Sequence, residues 1–201
     1  ARQEILNDAA NRIDAVRYVH VADPVTELTR FRAGDLDIPY TVPPGEVARL
    51  ERELPGQLRI APHVGVYYYG YALDLPPFRD AQKLRQALAM AVDREVLTQQ
   101  VLGDGERPAY GWVPDGVAGH EPQRFEWASL DRDARNALAR RLYAEAGYSA
   151  GKPLKVELRT SKSPVHDRIA LAVTAMWKET LGAEVRLRSE DFRVLKSAID
   201  A

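Results

Sequence analysis

The order strand, helix, strand in the last third of the chain restricts the fold more than any other feature. Residues 154–158 alternate apolar and polar side chains as a half-buried strand does, and residues 185–187 resume the pattern. Between them, residues 164–181 carry apolar side chains at helical spacing. Two strands joined by one long helix are normally parallel neighbours, because a parallel pair needs a crossover connection. The pattern therefore predicts an α/β fold with an at least partly parallel sheet.

The same alternation of short apolar runs and helical patterns fills the rest of the chain. Further helices are predicted at residues 24–33, 45–54, 84–92, 94–101, 131–146 and 192–199. Further strands are predicted at residues 13–21, 36–40, 58–61 and 64–73. A glycine- and proline-rich stretch at residues 103–123 is predicted to be a long loop, which is unusual unless it is functional or packed over something. We expect a mixed sheet flanked by helices.

Composition excludes several classes of function. The 201 residues carry 28 basic and 29 acidic side chains, so the surface lacks the positive charge that a nucleic-acid-binding protein needs. The absence of cysteine excludes disulfides, thiol nucleophiles and cysteine-bound zinc. No apolar run is long enough to span a bilayer. We therefore expect no nucleic-acid partner.

Motifs for catalysis are also missing. None of the four histidines stands at metal-binding spacing, and the chain has no nucleophile elbow, phosphate loop or dinucleotide fingerprint. We predict a protein that is not an enzyme and holds no metal or cofactor. His166 occupies the one suggestive position, between a strand and the first turn of a helix, where anions are favoured. From that position alone, a surface histidine without a role is the simpler interpretation.

A series of short motifs resembles one protein family in sequence order. They lie at residues 31–38 (FRAGDLDI), 67–69 (YYY), 76–78 (PPF), 84–88 (LRQAL), 91–94 (AVDR), 107–111 (RPAYG), 142–148 (LYAEAGY) and 177–185 (WKETLGAEV). The series is similar to that of the oligopeptide-binding proteins of ABC importers, the family 5 extracellular solute-binding proteins. The resemblance runs from about Ile13 to the end of the chain.

This resemblance implies a lobe of the type II periplasmic-binding-protein fold. Family members have two lobes that close around an extended peptide, with crossing strands as the hinge. By resemblance, residues 1–65 are the end of the first lobe with a crossing strand, and residues 66–201 are most of the second. We expect the chain to be a truncated part of such a protein. A fragment lacking the family's later groove residues is expected to bind peptide poorly by itself.

The resemblance also suggests five ligand-binding positions. His166 matches a histidine that meets the carboxylate of longer peptides, which makes it the first candidate. Gly65 matches a groove-lining residue of the crossing strand. Leu102 stands where well-known members have a carboxylate-binding lysine, and Gly70 stands where they have an acid that lines a side-chain pocket. Tyr40 aligns with a groove asparagine. These differences from the well-known members imply that the ligand preference of this protein differs from theirs.

The implied function is that of a solute-binding component of an ABC transporter that captures oligopeptides for import. Its partners would be a peptide ligand and the membrane permease. Its location would be the periplasm, or the outer face of the cytoplasmic membrane through a lipid anchor. The alternative is a ligand-sensing domain of a transcriptional regulator that reuses this fold.

Overall fold

The computed structural model describes residues 12–61 and 63–199. The helices are α1 (Pro24–Arg32), α2 (Val47–Glu53), α3 (Gln82–Met90), α4 (Arg94–Val96, continued by a π-helical turn over Leu97–Leu102), α5 (Arg132–Glu145), α6 (Pro164–Leu181) and α7 (Phe192–Ile199). A short 3-10 helix covers Glu126–Ser129. The strands are β1 (Lys155–Ser161) and β2 (Glu184–Glu190). None of the described helices combines the length and the apolar character that a membrane crossing requires.

The chain divides into two compact units, Ala1–Pro43 and Pro44–Ala201. The lobe boundary expected from the family resemblance, between Gly65 and Val66, concerns the whole protein and stays a prediction.

The first unit is organised around α1. Asp23 caps this helix, since its carboxylate accepts the Thr26 N–H at 2.7 Å. The carboxylate of Glu27 is buried, with 8% of the residue exposed, and accepts the backbone N–H groups of Tyr40 at 2.9 Å and Thr41 at 3.2 Å. A buried carboxylate needs such donors. Glu27 therefore ties residues 40 and 41 to the helix.

The predicted strand–helix–strand unit is confirmed in the second unit. Strands β1 and β2 are parallel neighbours, in register from Lys155 opposite Glu184 to Ser161 opposite Glu190. Helix α6 is the crossover between them and packs against both strands. It ends at Leu181 and is capped by Gly182, which adopts a left-handed conformation with φ of 69°. The α/β class is therefore that expected from the sequence.

The core of the second unit lies where α3, α5 and α6 meet the sheet. Leu84, Leu88 and Val173 are almost completely inaccessible to solvent. Two hydrogen bonds cross this core: the Trp177 indole N–H donates to the Leu88 carbonyl at 2.9 Å, and the Leu154 N–H donates to the Tyr143 hydroxyl at 2.8 Å. These bonds join α6 to α3 and α5 to the start of β1.

The strands predicted in the first third of the chain are not formed as paired strands. Residues 13–21, 36–40, 58–61 and 64–73 belong to no sheet in the described part of the chain. The alternating pattern tells which side chains share a face, but a strand also needs a neighbour for its backbone hydrogen bonds. Neighbours for these segments do not occur among the described residues.

Candidate functional site

His166 lies in the first turn of α6, next to the end of β1. Its Nδ1 atom is 2.6 Å from the hydroxyl oxygen of Ser161, the last residue of β1. Its ring also packs on Tyr67, with 5.2 Å between the ring centroids. Within the described residues, Nε2 has no hydrogen-bond partner. The imidazole is therefore held on one side and can donate or accept on the other.

The segment that contains Tyr67 presents side chains alternately to two sides. Tyr67 and Tyr69 meet edge to face with centroids 5.6 Å apart, whereas Tyr68 lies against Trp112 at 4.6 Å. Side chains two apart share a side only when the backbone is extended, as in a strand. Burial raises the pKa of Tyr69, and the neighbouring Tyr67 hydroxyl raises it further. The Tyr69 ring packs against the core of the second unit, and its hydroxyl keeps its proton at neutral pH.

The backbone of this segment is not used by the rest of the described structure. No hydrogen bond within residues 12–61 and 63–199 involves an N–H or C=O group of residues 66–71. A run of unpaired backbone donors and acceptors is the edge to which another extended chain can add. The segment therefore offers a hydrogen-bonding edge beside His166.

Two predicted site residues are glycines of this same segment. A Cβ atom built on Gly65 would lie 3.1 Å from the ring of His63, so a larger residue would push that ring aside. A Cβ atom on Gly70 would meet no atom within 4 Å. Gly70 therefore leaves open space on the side of the segment to which Tyr68 points.

Leu102 does not present a polar group to the site. Its side chain packs on the core of the second unit. The neighbouring Val101 carbonyl accepts a hydrogen bond from the guanidinium of Arg168, which follows His166 by two residues in α6. Position 102 itself therefore carries no positive charge, and the Arg168 guanidinium lies next to it, on the carbonyl of Val101.

Tyr40 belongs to the first unit. The residue is 94% exposed, and its backbone N–H donates to the Glu27 carboxylate. The structure thus brings together the segment of Gly65 and Gly70 with His166, and it places Tyr40 in a separate unit. The ligand-binding roles of all five positions stay predictions.

The two ends of the long loop that carries Trp112 lie against each other, residues 110–111 on residues 123–125; this contact is called the loop base. The Phe125 N–H donates to the Tyr110 carbonyl at 2.9 Å, and a Cβ atom on Gly111 would lie 1.9 Å from the Gln123 carbonyl oxygen. Only glycine fits at such a close approach of two backbones. The loop at residues 103–123 that the sequence predicts is confirmed, and its base is closed.

The Tyr110 side chain fixes this base to the helical core. Its hydroxyl donates to Glu95 at 2.6 Å and accepts from Arg135 at 2.9 Å. Burial, together with the hydrogen bond to Glu95, raises the pKa of Tyr110 to about 12. The hydroxyl therefore keeps its proton at neutral pH and holds the network together.

Sequence reasoning missed three neighbours of the predicted site. Tyr67, Trp112 and Arg168 are placed beside it by tertiary packing, although the three tyrosines and the loop were visible in the sequence. In the described part of the chain, no cluster of three histidine, aspartate or glutamate side chains could hold a metal ion.

The family is decided by a match over nearly the whole chain. Residues 7–201 match the model of the bacterial extracellular solute-binding proteins, family 5, in its middle region. The chain belongs to this family. The fold expected from the resemblance is confirmed by superposition on the solved structures of MppA and OppA.

Several known proteins are similar to the chain along almost its full length. The periplasmic murein peptide-binding protein MppA of Escherichia coli is 35% identical over 187 residues, which are 93% of this chain and 35% of that protein. The probable deoxycholate-binding periplasmic protein YgiS of Escherichia coli is 36% identical over 186 residues, which are 92% of this chain and 34% of that protein. These two names refer to different ligands at nearly equal identity.

Solved structures agree with the family assignment. The murein tripeptide-binding protein MppA of Escherichia coli superposes with a TM-score of 0.80 at 36% identity, covering 86% of this chain and 34% of the other. OppA of Haemophilus influenzae, solved with the peptide RPPGFSPFR, superposes with a TM-score of 0.78 at 33% identity, covering 87% of this chain and 35% of the other. The chain spans about a third of the length of the curated relatives it matches.

Proposed function

We propose that the protein is the solute-binding component of an ABC importer and captures oligopeptides for uptake. The observation that carries this proposal is the run of unpaired backbone groups at residues 66–71 beside His166, in a chain of family 5. Relatives at about 35% identity are named as peptide-binding proteins.

Backbone pairing explains how such a site accepts many sequences. An extended peptide that adds to residues 66–71 satisfies its own N–H and C=O groups, whatever its side chains are. Those side chains then alternate between the two sides of the segment, one lined by Tyr67 and His166, the other by Tyr68. Affinity comes from the backbone and selectivity from the pockets.

His166 supplies a contact for the carboxylate at the end of the peptide. The Ser161 hydroxyl holds Nδ1, so Nε2 can donate to an anion. Arg168 lies two residues later in α6, and its guanidinium contacts the Val101 carbonyl in the described structure. A hydrogen bond to a charged group is worth about 1.5–3 kcal/mol.

Binding rather than catalysis accounts for the residues present, as it does for a family of solute-binding proteins. Lobe closure around the peptide would produce a conformation that the membrane permease recognises. The proposed location is the periplasm, as in the named relatives, with a lipid anchor as the alternative means of retention there. The regulator alternative gains no support from these relatives.

Calorimetry with the complete protein that carries this sequence tests the proposal. The ligands are alanine-based peptides of two to six residues, each with a free carboxylate or a C-terminal amide. We expect binding of at least one length, with the free acid favoured over the amide about 10-fold or more. His166→Ala should lose that preference.

The matched control is His20→Ala, because His20 is an exposed histidine of the first unit. This variant should keep the wild-type ratio of acid to amide affinity. Failure of every peptide to bind the complete protein, while deoxycholate binds, would overturn the assignment of a peptide ligand. An unchanged ratio in His166→Ala would remove only the role of His166.

A further inference from the structure

Tyr68 and Trp112 form an exposed aromatic pair, here called the aromatic corner. Their ring centroids are 4.6 Å apart and their planes are inclined by 55°. Tyr68 is 59% exposed and Trp112 is 67% exposed. The other two tryptophans, Trp127 and Trp177, are buried. The two rings touch each other and present a joint apolar surface in this chain.

The corner is built on rigid supports. Trp112 follows Gly111 directly, and the backbone there approaches Gln123 so closely that no Cβ atom fits. Tyr110, on the other side of Gly111, is held by Glu95 and Arg135. The exposed indole is therefore presented by a closed loop base. Rigid aromatic side chains cost little entropy on binding, which makes them effective contact surfaces.

Open space adjoins the corner. Tyr68 and Gly70 are two residues apart on an extended segment, so they face the same side. A Cβ atom at Gly70 would meet nothing within 4 Å. At Gly70, on the same side as the Tyr68 ring, the surface therefore consists of backbone atoms and carries no charged side chain. A bulky apolar group fits this combination better than a charged one.

We propose that the aromatic corner, with Gly70 beside it, binds an aromatic side chain of the peptide ligand. This inference rests on the proposed function, because the occupant is a side chain of a peptide paired with residues 66–71. A peptide on that edge directs every second side chain to the side of Tyr68 and Trp112. The site therefore selects peptides that carry a phenylalanine, tyrosine or tryptophan at one position.

The test uses the complete protein and a set of tetrapeptides. The set consists of tetra-alanine, four peptides with a single phenylalanine at each position, and four with a single lysine. We expect one phenylalanine peptide to bind about 3- to 10-fold more tightly than tetra-alanine, with no such gain for lysine. Trp112→Ala should abolish this gain and leave tetra-alanine affinity within about twofold. Phe192→Ala, which removes an exposed aromatic ring of α7, is the control and should keep the gain.

Fluorescence gives a second readout. Trp112 is the exposed one of the three tryptophans in this chain, so binding of the preferred peptide should shift its emission to shorter wavelength and protect it from iodide quenching. Both effects should be lost in Trp112→Ala. An unchanged phenylalanine gain in that variant, or an equal loss of affinity for all peptides, overturns the proposal while peptide binding itself stands. Binding of no peptide by the wild type overturns both.

Discussion

Replacing Gly111 with alanine should destabilise the loop base and displace Trp112. The new Cβ atom would lie 1.9 Å from the Gln123 carbonyl oxygen, so the two backbones must separate by more than about 1 Å to reach van der Waals distance. Overpacking of this kind costs about 1–3 kcal/mol. Separation would also break the hydrogen bond from Phe125 to Tyr110, worth about 0.5–1.5 kcal/mol. We expect a loss of about 2–4 kcal/mol in the free energy of unfolding.

Urea denaturation of the complete protein, followed by circular dichroism, measures this loss. The control is Gly151→Ala, because a Cβ atom there meets nothing within 4 Å and the backbone is not left-handed. That variant should stay within about 0.5 kcal/mol of the wild type. Limited proteolysis should also cut residues 103–125 faster in Gly111→Ala. Equal stability and equal proteolysis of the two variants would show that the loop base is not closed as described.

Two further predictions concern the packing of each unit. Tyr143→Phe leaves the buried N–H of Leu154 without an acceptor and should cost about 1–3 kcal/mol in chemical denaturation, and a loss below about 0.5 kcal/mol would contradict the role given to this bond. Burial acts to raise the pKa of Glu27, but hydrogen bonds from Tyr40 and Thr41 outweigh it and lower the pKa below its usual 4.5. The stability that Glu27 contributes is therefore complete above about pH 4.5 and is lost as the pH falls through its lower folded value. Glu27→Gln should reduce the drop in stability between pH 7 and pH 3, and an unchanged drop would count against this bonding.

Local patterns were enough to predict the second half of the fold. The crossover helix α6 begins at Pro164 and is followed by Gly182, and both residues mark helix ends for steric reasons that the sequence reveals. The strands on either side follow from alternation alone. Their parallel pairing follows from the length of the connection.

The predictions that failed needed information that is not local. A period of two at residues 13–21 identifies a two-faced segment, but only a neighbouring strand can make it part of a sheet. The contact between Tyr67 and His166 joins residues far apart in sequence, and only packing places them together. The burial of the Glu27 carboxylate was likewise not predictable from the sequence, because a glutamate in a helical pattern is usually exposed.

Pairing of a peptide ligand with the backbone of residues 66–71 is the central element of the proposed function. Amide hydrogen exchange of the complete protein, measured residue by residue by NMR with and without a bound alanine tetrapeptide, tests it most directly. If a peptide pairs with this segment, every second amide of residues 66–71 should exchange at least about 10-fold more slowly when the peptide is bound. Saturating peptide binding with unchanged exchange at all of these amides would contradict it.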